Sequence, residues 1–130
     1  MEWLRGMDDP SRQIEAAEGF ALLGMHSDAW DTLESLPALC RTLPAVLSVR
    51  LLICTGLERW ELGVEIARKV LPTHSLPLRA AAGRFHLEHA HVLSRSGNHA
   101  TARASIAELA KVWPEGRRFV IESDTLAGIW

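Results

Sequence analysis

Cysteine is scarce: only Cys40 and Cys54 occur in 130 residues. Two thiols cannot build a disulfide scaffold or a four-cysteine zinc site. Positive charge is not in excess either. Fourteen Lys and Arg face sixteen Asp and Glu, for a formal charge of −2. That excludes the basic field with which proteins hold nucleic acid non-specifically. No apolar run approaches the ~20 residues of a membrane span. The first ten residues, MEWLRGMDDP, lack the basic and apolar regions of a secretion signal. The expectation is a cytoplasmic protein with neither nucleic acid nor membrane as partner. Catalytic signatures are missing too: there is no GxSxG elbow, no HExxH pair and no glycine-rich phosphate loop. Neither an enzyme nor a cofactor is expected.

What remains is a composition of 48% apolar and 23% charged residues, as in a soluble globular domain. The length suits one domain spanning residues 1–130. Within it, residues 23–30 (LGMHSDAW) and 96–103 (SGNHATAR) read alike. In each, a glycine precedes an alanine by five residues: Gly24 and Ala29, Gly97 and Ala102. Between them, Glu58 precedes Gly63 by the same five. The small positions Ala29, Gly63 and Ala102 therefore lie 34 and 39 apart, and the surplus five falls in the loop at 72–77.

The stretches between these turns have helical periodicity. Asp9-Pro10 starts a helix carrying Ile14, Ala17, Ala21 and Leu22 as far as Gly24. Ser27 caps a second with Trp30, Leu33 and Leu36, stopped by Pro37. Pro44 opens a third, with Leu47, Leu51 and Cys54 on one stripe. A fourth begins near Glu58 and carries Leu62, Ile66 and Val70. Pro77 opens a long fifth to Ser96, and Asn98 caps a sixth with Ala102, Ile106, Leu109 and Trp113. A seventh runs from Arg117 to about Ala127. Short turns force antiparallel neighbours. The fold class is thus all-α: helical hairpins, with approximate repeats at 10–43, 44–76 and 77–114 and a final helix at 116–128. Stacking would cover the face each pair leaves open.

These residues resemble the tetratricopeptide repeat family. Its unit has a small residue early in helix A, an apolar residue three further on, a turn glycine, an alanine in helix B and a closing proline. The counterparts are Ala17, Phe20, Gly24 and Ala29; then Leu51, Cys54, Glu58 and Gly63; then Ala90, Leu93, Gly97, Ala102 and Pro114. The large aromatic expected early in helix A is replaced by Gln13, Leu47 and His86, and the second repeat lacks the turn glycine. Other helical-hairpin arrays, or a plain three-hairpin bundle, share this pattern. The resemblance implies a right-handed α-solenoid of about seven helices whose A helices line a concave groove. Carried over, that groove takes Ile14, Glu18 and Ala21, then Ser48, Leu52 and Thr55, then Arg84, Leu87, His91 and Arg95. The last set is a basic patch around one leucine. It implies a protein or peptide partner, with an acidic peptide as the suited kind, bound without catalysis.

Three other features compete for attention. His86 and His89 share a helical face, yet zinc needs three or four ligands, so this pair suits a packing seam better than a metal site. His91 lies on another face. Trp30, Trp60 and Trp113 fall on the second helices of the hairpins, as core wedges. Trp3 and Trp130 sit at the two ends, where uncapped helices offer a route to a homodimer. Arginine outnumbers lysine twelve to two, which favours bidentate carboxylate contacts.

Overall fold

The computed structural model describes residues 9–70 and 75–129. Trp3, Trp130 and positions 72–74 of the inter-repeat loop lie outside the described residues. Among the described residues, seven α-helices follow in order: α1 (Ser11–Leu22), α2 (His26–Glu34), α3 (Pro44–Leu57), α4 (Trp60–Arg68), α5 (Leu76–Arg95), α6 (His99–Val112) and α7 (Arg117–Ile121). Two 3₁₀ turns, Ala38–Cys40 and Pro114–Gly116, complete the elements, and no strand occurs among the described residues. Among the described residues, no helix is long and apolar enough to cross a membrane.

Helices α1 and α2, α3 and α4, and α5 and α6 pack as consecutive pairs, and α3 also contacts α1 and α5. The turns inside the three pairs have one geometry. Gly24, Glu58 and Gly97 adopt left-handed φ values of 82°, 56° and 84°. The next residue in each case, Met25, Arg59 or Asn98, donates its N–H to a carbonyl five residues back, at 2.8, 2.9 and 2.8 Å. This is the Schellman closure that satisfies the orphan carbonyls of a helix end. The same three residues then accept the first bond of the following helix, from Ala29, Gly63 and Ala102. The 34- and 39-residue spacing is therefore a repeat of backbone geometry, even where glutamate replaces glycine.

The core forms three clusters along the chain. The first joins α1, α2 and α3 through Ile14, Ala17, Leu33, Val46, Val49 and Ile53. The second joins α3, α4 and α5 through Leu51, Cys54, Ile66, Leu78 and Phe85. The third joins α5, α6 and the C-terminal turns through Ala90, Ile106, Leu109, Val120 and Leu126. Helix α3 serves the first two clusters from opposite faces, which explains why it is apolar nearly all round. The stripe of Leu47, Leu51 and Cys54 is only one of those faces.

Several local expectations need correction. Pro10 stands just before α1, not inside it, and Asp9 rather than a helical cap accepts the Ser11 N–H at 3.1 Å. Ser27 lies inside α2, which starts at His26 after the Met25 turn. Asn98 precedes α6 but makes no side-chain cap bond. Ser75 caps α5, its hydroxyl accepting from the Leu78 N–H at 3.3 Å, so Pro77 is the second helical residue. Leu22 is 69% exposed and outside the core. Helix α7 stops at Ile121, far short of Ala127. There Ser123 accepts the Leu126 N–H, folding the chain over so that Leu126 and Ile129 are buried. The Arg103 side chain also donates to the Ile129 carbonyl at 3.2 Å. Ile129 is therefore packed against the fold instead of marking an open helix end.

Candidate functional site

Helices α1, α3 and α5 together border a cleft of about 730 Å³. That size lies within the range of ligand-binding clefts, about 300–1,000 Å³. Its floor is mostly apolar, with Ile14 from α1, Val49, Leu51 and Leu52 from α3, and Phe85 and Leu87 from α5. Ser48 and Thr55 add two hydroxyls on α3. Thr55 spends its hydroxyl hydrogen on the Leu51 carbonyl, at 2.9 Å.

Trp113 and Phe119 form the far wall, stacked with ring centroids 5.4 Å apart. The wall is possible because two glycines make room for the indole: a Cβ on Gly83 or on Gly116 would strike it. The Arg84 guanidinium lies over the same indole, 5.2 Å from its centroid. Such a contact holds the cation at the rim while its face remains available to solvent. Three carboxylates also line the cleft: Glu15 and Glu18 on α1 and Glu88 on α5. All three are exposed, and none forms an ion pair among the described residues.

Of the residues expected to line a groove, the cleft brings together Ser48, Leu52, Thr55, Arg84 and Leu87, along with Ile14 and Glu18. His91 and Arg95 are not among them. The α5 lining ends at Glu88, one turn short of His91. Ala21 is buried in the first core cluster. The sequence reading missed Glu15, Glu88, Trp113 and Phe119. Glu88 is one helical turn beyond Arg84 and was recoverable from that spacing. The position of Phe119 depends on the turn at Pro114–Gly116, which no periodicity reports.

Two histidines of α5, His86 and His89, belong to packing. His86 is buried and meets Phe85 edge-on, at 5.4 Å between centroids. His89 lies flat on Trp60, 4.7 Å away and 7° from parallel. Burial pushes the His86 pKa down to about 4, outweighing the attraction of Glu108 and adding to the repulsion of His89. His89 is also lowered by burial, and its Nδ1 has no hydrogen-bond partner. Burial likewise pushes the Cys54 thiol upward, away from thiolate chemistry. Among the described residues, no three His, Cys, Asp or Glu side chains converge as metal ligands would.

The chain was compared with family models, curated proteins and solved structures, and nothing matched in any of the three.

Proposed function

We propose that this chain is a protein- or peptide-binding scaffold, built as a right-handed stack of three hairpins similar to tetratricopeptide repeats, with no chemistry of its own. The supporting observation is the cleft. A mostly apolar floor crosses three consecutive first helices, with the hydroxyls of Ser48 and Thr55 on the middle helix and charged groups on the outer two. Binding surfaces of helical arrays arise in this way, because each repeat contributes the same helix to one side. The identical turn geometry of the three pairs supports the array reading, since equal turns place the first helices side by side.

A displayed random-peptide library selected on the chain tests this reading. Peptides should emerge whose binding is lost in Ser48→Trp, which fills the cleft, and in Leu52→Glu, which charges its floor. Circular dichroism of both variants should match the parent, because Leu52 is exposed and Ser48 only half-buried. A selection that yields no peptide sensitive to either substitution overturns the scaffold reading.

A further inference from the structure

The charge of the cleft specifies its occupant more narrowly than its shape does, provided the scaffold reading holds. Arg84, His91 and Arg95 alone suggest an acidic partner. Only Arg84 reaches the cleft, and its guanidinium already faces the Trp113 ring. Against it stand the carboxylates of Glu15, Glu18 and Glu88, so among the described residues the lining carries an excess of two negative charges. The three acids come from two different helices on opposite borders of the apolar floor. Arg12, the nearest cation in sequence to Glu15, forms no ion pair with it. A neutral partner would leave these carboxylates without counter-charge at the edge of a desolvated contact. An acidic partner would add like-charge repulsion, which disfavours encounter.

We propose that the cleft takes an apolar peptide segment flanked by basic side chains. The apolar residues sit on Leu52, Leu87 and Phe119, and the cations meet Glu15, Glu18 and Glu88. This is the helix-in-groove or extended-segment mode with acidic borders choosing the partner. Exposed carboxylates add little each, so selectivity comes from their sum and weakens in salt.

The test uses two labelled amphipathic helical peptides and fluorescence anisotropy. Both carry leucine at i, i+3, i+4 and i+7; one has arginine beside that stripe, the other glutamate at the same places. The arginine peptide should bind roughly tenfold tighter at low salt, with the ratio falling toward unity in high salt. The triple variant Glu15→Gln/Glu18→Gln/Glu88→Gln should abolish the ratio while leaving the helical signal intact. Equal affinities, a preference for the glutamate peptide, binding of neither peptide, or a ratio unmoved by the three glutamines would each overturn the proposal. So would a second copy as occupant, seen as a dimer by sedimentation that the three glutamines leave intact. The scaffold reading is judged separately by the library: cleft-dependent peptides of acidic or neutral character would preserve it and sink this inference.

Discussion

The Phe85 ring of α5 occupies the space where a Cβ on Gly63 of α4 would stand. Phe85 is 1% exposed and lies in the second core cluster, so the ring has nowhere to swing. Gly63 follows its hairpin turn by the same interval as Ala29 and Ala102 follow theirs, and both alanines are fully buried. The extra loss of a methyl at this one repeat follows from the size of its partner.

Gly63→Ala should therefore destabilise the fold by about 1–2 kcal/mol, the cost of overpacking less the gain in helix propensity. In a Phe85→Leu background the same change should be neutral or stabilising. Urea unfolding of the four proteins in this double-mutant cycle measures the coupling. A coupling near zero would show that the two positions do not meet.

Glu58 is the exception among the three hairpin turns, a non-glycine residue at φ 56°. A left-handed residue with a Cβ costs roughly 1–2 kcal/mol, partly offset by the freedom glycine loses on folding. Glu58→Gly should therefore raise stability by about 0.5–1 kcal/mol. Gly24→Ala and Gly97→Ala, at φ 82° and 84°, should each lower it by about 1 kcal/mol. Melting temperatures of the three variants should move in those opposite directions.

His86 makes stability depend on pH. Its folded pKa is depressed to about 4 from 6.5, so between those values the unfolded chain takes up a proton that the folded chain refuses. Stability is full above pH 6.5, falls as pH drops toward 4, and levels off below it with respect to this group. The loss is on the order of 3 kcal/mol. His86→Gln should flatten the pH dependence of the unfolding midpoint across that window. An unchanged slope would place the responsible proton elsewhere.

Glu34 receives two arginines of different standing. Arg50 is buried, donates to the Glu34 carboxylate at 3.0 Å and lies over Trp30 at 4.3 Å. Arg41 is exposed and reaches the same carboxylate at 3.7 Å. Glu34→Ala should cost about 1–3 kcal/mol, because it strands a buried guanidinium. Arg41→Ala should cost about 1 kcal/mol, because its exposed ion pair adds little and the main loss is its bonds to the Glu34 and Leu36 carbonyls, at 3.0 and 3.4 Å. Denaturant midpoints for the two variants should differ accordingly.

The all-helical fold was legible in the sequence because its signals are local. Pro44, the stops at Gly24 and Gly97, and the periodic apolar residues act within one or two turns of chain. The five-residue interval from turn to small residue likewise marks the same backbone closure in all three pairs. Side-chain caps were less legible, since Ser27 and Asn98 are good capping residues that the tight turns leave unused. The last helix was overestimated because its pattern continues past Ile121, while a serine turn redirects the chain to bury Leu126 and Ile129.

Sequence by itself thus determined that the chain is helical and where its three tight turns fall, while the resemblance to tetratricopeptide repeats, and not spacing, pointed to Ile14, Leu52 and Leu87 of the cleft floor and to Ser48, Thr55 and Arg84 beside them. Tertiary structure alone decided the cleft's charge and its far wall. Glu15 and Glu88 are brought to one opening by the packing of α1 and α5 on α3. Trp113 and Phe119 close it because Gly83 and Gly116 leave space for an indole. Those are contacts between residues distant along the chain, and periodicity within a helix carries no information about which distant side chain will fill a gap.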